Sequence, residues 1–257
     1  MKQGDFTQLA KAYINRTGYS LHALRAIAKY INAYQTPNFL VADVGAGTGK
    51  LTENLIEIGL KGYAIEPNSS MLHEGMRLIK EDFFTWKQGS GEETFLPDSS
   101  VDWVLMGSSF HWTNQSEALK EFYRILKPGG FFTAVWNPRD LEQNELHKRI
   151  ESKIYSIAPM IKRASSGASV YTKNLEKTLL ESGNFKDLIF IEAPYEVEMT
   201  QDRYLGAWRS VNDIQAQAGP QKFEEILKAI EEETSSLEAI RVPYKTRAWT
   251  VQSTKER

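Results

Sequence analysis

Apolar residues along the chain switch between helical and strand-like spacing. Leu21, Leu24, Ile27, Ala28 and Ile31 recur every three or four positions, which predicts helix over residues 6–34, and Pro37 breaks the pattern. FLVADVG (39–45) is an unbroken apolar run closed by glycine, as in a strand buried on both faces. Helical spacing returns at 50–60 through Leu51, Leu55, Ile56 and Ile58, with Gly59 placed to end it. GYAIEPN (62–68) reads as a second strand, SSMLHEGMRLIK (69–80) as a helix and DFFTWKQ (82–88) as a third strand. A fourth begins at Val101. Asn114 and Glu117 then have capping-box spacing ahead of a stripe at Leu119, Phe122, Tyr123 and Leu126. Pro128, Gly129 and Gly130 stop that helix, and FFTAVWN (131–137) is a fifth strand.

The regularity loosens after Asn137. Residues 141–157 read as helix, 161–172 as a polar loop, 174–183 as helix and 187–199 as a long strand. Residues 201–221 read as irregular, 222–233 as a helix and 242–252 as a closing strand. Strands alternating with helices predict an α/β fold: a doubly wound, mostly parallel seven-stranded Rossmann-like sheet, helices on both faces, last strand antiparallel.

Composition narrows the chemistry. The 257 residues carry a formal net charge of −2, and the only short like-charge run is Glu231, Glu232, Glu233. That balance argues against an electrostatic grip on nucleic acid or membrane. There are no cysteines, which removes disulfides, thiolate nucleophiles and cysteine-ligated metals. His22, His73 and His147 show no metal-ligand spacing, so no metal is expected. MKQGDFTQLAKAY lacks the apolar core of a signal peptide, and no stretch suits a membrane span. A single cytoplasmic domain over residues 1–257, monomer or homodimer, is the expectation.

VADVGAGTGK (41–50) carries the most information. A phosphate loop would need glycine where Val44 stands and a hydroxyl where Leu51 stands. The dinucleotide fingerprint would need its third glycine at Lys50. Neither mismatch is absolute, because glycine loops vary; the alternative is G-x-G-x-G with an acid before it. Small residues at Gly45, Ala46 and Gly47 let a ligand pack on backbone, Asp43 puts a carboxylate near an ammonium, and Glu66 ends the next strand where it can accept both ribose hydroxyls. That combination fits S-adenosylmethionine.

These residues resemble those of class I S-adenosylmethionine-dependent methyltransferases, in particular a small-molecule branch similar to the trans-aconitate methyltransferases. VADVGAGTG looks like the family's first motif, and Glu66 matches its ribose-binding acid. GSGEETFLPDSSVDWVL (89–105) resembles the adenine-lining segment, and SSFHW (108–112) the loop after the fourth strand. LKPGGFFTAVW (126–136) resembles the next helix-to-strand turn, and VPYKTRAW (242–249) the closing strand. Phe6, Tyr13, Arg16 and Tyr19 match a lid pattern. One departure is Ser90, where many relatives have Asp, so Ser90 or the backbone at Gly91 and Glu92 would have to meet the adenine.

The resemblance implies cofactor contacts from Asp43, Gly45, Ala46, Gly47, Glu66 and Pro67. It extends them to Met71, Ser90, Gly91, Glu92, Ser108 and Tyr13. Met71 is equally readable as core, and Phe95 and Leu96 as adenine pocket or loop packing. His111 is the candidate base or acceptor-orienting group, set against a structural histidine bonded within its loop. Tyr19, Trp112, Trp136, Asn137 and Arg139 are the candidate acceptor-side residues, with Arg139 able to pair with a carboxylate. Residues 1–34 are expected as a helical lid, and 138–172 with 200–221 as acceptor-pocket elements.

The expected activity is methyl transfer from S-adenosylmethionine to a small molecule, at a carboxylate or hydroxyl oxygen. The rivals are N- or C-methylation, a non-catalytic module that binds the same cofactor, an NAD-dependent oxidoreductase disfavoured by Lys50, and RNA methylation disfavoured by the acidic balance.

Overall fold

A computed structural model describes residues 7–80, 82–140, 144–162 and 169–256. Seven strands form one sheet: β1 (Val41–Val44), β2 (Gly62–Glu66), β3 (Phe84–Gln88), β4 (Val101–Gly107), β5 (Leu126–Trp136), β6 (Phe185–Met199) and β7 (Ile240–Ser253). Their order is β3-β2-β1-β4-β5-β7-β6. β1 to β5 pair in parallel, and β7 runs antiparallel to both β5 and β6. The expected sheet, with its antiparallel last strand, is the one observed.

Two apolar layers cover it. On one face α2 (Leu21–Tyr30) and α3 (Lys50–Glu57) bring Leu24, Ile27, Leu51 and Leu55 against Trp103 and Leu105 of β4. On the other, α5 (Gln115–Ile125) and α8 (Leu175–Glu181) pack Phe122 and Leu179 against Phe132 and Trp136 of β5. α4 (Ser69–Leu78) follows β2. Two of these helices are capped by side chains: in α2 Ser20 Oγ accepts the Ala23 N–H at 3.3 Å, and in α5 Asn114 Oδ1 that of Glu117 at 3.4 Å. Each such cap contributes about 1 kcal/mol.

A third apolar cluster stands apart from the sheet layers. Ile150 and Ile154 of α6 (Glu145–Ile157) meet Tyr204 and Trp208 of α9 (Gln201–Arg209), Ile226 of α10 (Asn212–Thr234), and Val242 of β7. Here one expectation fails. Residues 201–209 and most of 212–221 are helical, because Thr200 Oγ1 caps α9 and the apolar positions Tyr204, Leu205 and Trp208 have helical spacing. Gly219, at φ 76°, is non-helical and kinks α10 ahead of Pro220.

The N-terminal stretch is also less regular than predicted. A 3-10 turn (Thr7–Leu9) leads into the four-residue α1 (Ala10–Tyr13), and an irregular link through Gly18 precedes α2. Phe6 and the rest of the lid before Thr7 lie outside the described residues, as do 141–143 and 163–168 of the expected acceptor-side elements. After them comes the single turn α7 (Ser169–Thr172). Among the described residues no helix is long and apolar enough to cross a membrane.

Candidate active site

The strand order reverses between β1 and β4, and at such a point the carboxyl ends of parallel strands leave a crevice. A cavity of about 410 Å³ opens there, within the range of small-molecule sites. The loop after β1, the end of β2, the 90–92 turn and the loop after β4 line one half. Arg139, Glu151, Tyr171, Tyr204, Trp208 and Tyr244 line the other.

The three glycines of the first loop answer to different demands. Gly45, Gly47 and Gly49 all have positive φ, at 70°, 61° and 91°. A Cβ on Gly45 would lie 2.7 Å from Ser109 Oγ, and one on Gly49 2.4 Å from Ile79 Cδ1. A Cβ on Gly47 would meet only Met71 Cε, at 3.4 Å, and would otherwise project into the cavity. Gly49 therefore serves helix packing, whereas at Gly47 the backbone is left open to the cavity.

Two carboxylates flank this loop. Asp43 is fully buried, and its Oδ2 accepts the Thr52 hydroxyl at 2.6 Å. Among the described residues nothing bonds its Oδ1, and burial pushes the Asp43 carboxyl up to about 7. An unpaired carboxylate oxygen at the cavity wall is what an ammonium group would satisfy. Glu66 Oε2 accepts the Gly47 N–H at 2.8 Å and Oε1 the Asn68 N–H at 2.9 Å. Burial raises the Glu66 pKa, and the two amides partly offset this. Each oxygen retains a lone pair for a ribose hydroxyl.

The neighbouring candidates fall on the same wall. Ala46, Pro67, Met71, Ser108 and Tyr13 all line the cavity. Ser108 has φ 55°, rare for a non-glycine residue, and its Oγ accepts the Tyr19 hydroxyl at 3.1 Å. Ser90 Oγ accepts the N–H groups of Glu92 and Glu93, both at 3.2 Å. Its lone pairs are then spent, so only its O–H is left to give. Ser90 therefore cannot accept from an adenine amine. Glu92 Oε1 accepts the Asn114 N–H at 2.6 Å, which leaves Oε2 as the carboxylate oxygen able to take over the missing aspartate's part. Phe95 is 62% exposed and Leu96 is core, and neither lines the cavity.

On the acceptor side, Tyr19, Trp112 and Arg139 line the cavity with His111, and Trp112 stands at its rim, 49% exposed. Arg139 lies over the Trp208 ring at 4.1 Å, and among the described residues no carboxylate pairs with it. Two expectations change. Trp136 is fully buried and lines nothing: its Nε1 donates to His111 Nδ1 at 3.3 Å from behind. Asn137 reaches the cavity but its amide is committed. Nδ2 donates to Gly18 O at 2.8 Å and Tyr195 Oη at 2.6 Å, and Oδ1 accepts the Thr246 hydroxyl at 3.0 Å. It ties the N-terminal segment to the sheet rather than facing an acceptor.

Sequence reasoning missed Glu151, Tyr171, Tyr204, Trp208 and Tyr244. The helical spacing of Tyr204 and Trp208 was the one available signal. Arg16 was noted only for the lid. Its Nε donates to Ser210 Oγ at 2.7 Å and Nη2 to Ser210 O at 2.9 Å, so it clasps the end of α9.

Residues 42–134 match the family described as a methyltransferase domain. Over those residues the chain is similar to a methyltransferase domain. S-adenosylmethionine is the cofactor of such a domain, and the orphaned Asp43 oxygen, open Gly47 and Glu66 carboxylate fit it. An uncharacterised methyltransferase of Mycobacterium tuberculosis is 42% identical over 100 residues, 39% of this chain and 40% of that one. One from Schizosaccharomyces pombe is 40% identical over 103 residues, 39% of each chain. The match thus spans about two fifths of the curated relatives' length. Among solved structures, a protein of Anaeromyxobacter dehalogenans provisionally described as a type II methyltransferase superposes with TM-score 0.60 at 21% identity. That likeness, one of fold, covers 93% of this chain and 97% of the other.

Proposed function

We propose that this chain transfers the methyl group of S-adenosylmethionine to an oxygen of a small-molecule acceptor. The observation that carries the reading is one continuous cavity, running from Asp43, Gly47 and Glu66 to the Arg139 guanidinium, which has no carboxylate partner among the described residues. The cofactor supplies an already activated methyl on a sulfonium sulfur. The chain must hold the acceptor in line, exclude water and neutralise acceptor charge. Arg139, stacked on Trp208, is placed to pair with an anionic acceptor. The same charge repels a cationic amine, which sets N-methylation behind, and the acceptor half itself sets a purely regulatory module behind. The resemblance to trans-aconitate methyltransferases points to a carboxylate in the same way.

In this reading residues 7–20 form the lid and Glu151, Tyr204 and Trp208 the acceptor wall. Purified protein, screened with small acids, phenols and amines, should release S-adenosylhomocysteine with anionic oxygen acceptors. Turnover with amines alone would replace this reading.

A further inference from the structure

His111 is held by one side of its ring. Trp136 Nε1 lies 3.3 Å from His111 Nδ1, and an indole N–H can donate but not accept. Nδ1 therefore presents its lone pair, and the proton of the neutral imidazole sits on Nε2. The ring is neutral, because burial lowers its pKa to about 4. Its neighbours are aromatic: the centroids of Tyr171, Trp112 and Trp136 lie at 4.3, 4.7 and 6.3 Å. Among the described residues no carboxylate bonds the ring, and no protein group takes Nε2. The ring lines the cavity, so Nε2–H is its free functional atom.

We infer that Trp136 is a positioning residue that sets His111 as a hydrogen-bond donor, and that the acceptor therefore arrives with its nucleophilic oxygen already ionised, as a carboxylate or acidic phenolate. The inference rests on the O-methyl transfer proposed above. A base needs a lone pair at Nε2, which this tautomer lacks. Protonating the ring instead would set Nδ1–H against the Trp136 N–H, donor facing donor, and place a cation among aromatic rings. An ionised acceptor avoids both. Its oxygen takes the methyl, the S–C bond breaks with its electron pair staying on sulfur, and the acceptor's negative and sulfonium's positive charge cancel. No proton leaves. For a carboxylate, Nε2–H can hold the oxygen that does not react, with Arg139 in the same chamber.

The test reads the tautomer directly. The chain has four histidines, so ¹⁵N-edited spectra of the whole protein are tractable, and His111→Gln assigns the resonance by its loss. His111 should show the Nε2–H tautomer with no titration between pH 5 and 8. Trp136→Phe should mix the tautomers or raise the titration into that range while S-adenosylhomocysteine still binds. If Trp136→Phe does not fold, the wild-type spectrum still decides: an Nδ1–H tautomer or an imidazolium at neutral pH overturns the inference.

Kinetics supply an independent arm. Gln can donate from its amide but is no base. With a carboxylate acceptor His111→Gln should stay within about tenfold of wild type while His111→Leu falls further. A base would lose roughly 10²–10⁴ in both. Equal collapse overturns the donor role, and so does turnover restricted to neutral alcohols. The carboxylates of the acceptor half, Glu151 and Asp213, are checked by Glu151→Gln and Asp213→Asn, where loss of the acidic limb of the rate profile would place a base there and overturn the acceptor class. Absence of any methyl transfer would remove the proposed function and, with it, the acceptor class, and would leave the tautomer result standing.

Discussion

The Glu66 carboxylate accepts the Gly47 N–H at 2.8 Å, so the acid proposed to take the ribose hydroxyls also holds the glycine turn. An acid serving the ligand alone would leave the empty protein's stability unchanged. Glu66→Ala should instead lower it by about 2 kcal/mol, since two charge-assisted bonds are lost. In a chain of this size that is roughly 4–8 °C in melting temperature. Cofactor affinity should fall roughly ten- to hundredfold in calorimetry. An unchanged melting curve would separate the two roles.

Asp43 should make cofactor binding depend on pH. Its folded pKa, raised to about 7 by burial, lies above an unfolded value of about 3.9. Between these the folded state holds a proton that the unfolded chain has lost, so unliganded stability falls as pH rises through that window. Asp43→Asn should remove that slope. An ammonium at Oδ1 favours the carboxylate, so binding should expel a proton and tighten from pH 5 to 7. Calorimetry across that range measures it; NAD should give no heat. A flat affinity would place the ammonium elsewhere.

Arg139→Gln should raise KM for anionic acceptors roughly ten- to hundredfold, the cost of one charge-assisted bond, with cofactor affinity unchanged. Arg139→Lys should rescue little, because an ammonium lacks the planar face that stacks on Trp208. Steady-state kinetics with the best acid from the screen decide this.

Residues 7–20 should exchange amide hydrogens more slowly with S-adenosylhomocysteine bound. Tyr13 and Tyr19 line the cavity from that segment, and Arg16 anchors it to Ser210. Arg16→Ala should abolish most of the ligand-dependent protection. Equal exchange with and without ligand would make the segment ordinary packing.

The cofactor half was legible because it is local. Asp43, Gly45 and Gly47 lie within five residues, and Glu66 ends the adjacent strand, so a strand-turn-helix reading brings them together. The acceptor half was not, because it is assembled over long separations. Arg139 pairs with Tyr244 of β7 across an antiparallel bridge, and Tyr204 joins them from the third apolar cluster, whose helices carry ordinary amphipathic patterns. Trp136 was misread for a related reason. Position at a strand end is visible in sequence, but whether a side chain turns toward the cavity or back into the protein is not. Period-two alternation at the end of β5 separates them no better, since Val135 and Trp136 are both fully buried.

The last strand lies between β5 and β6, and β6 has no other neighbour in the sheet. During synthesis, β1 to β5 can pair as they emerge, and the glycine turn, Asp43 and Glu66 come together early. β6, a fifteen-residue ribbon, has no strand partner until β7 arrives to bridge it. Tyr244 arrives on that same strand. The nascent chain thus builds a cradle for the methyl donor well before it has a chamber for the acceptor, and the exposed ribbon is the interval's aggregation hazard.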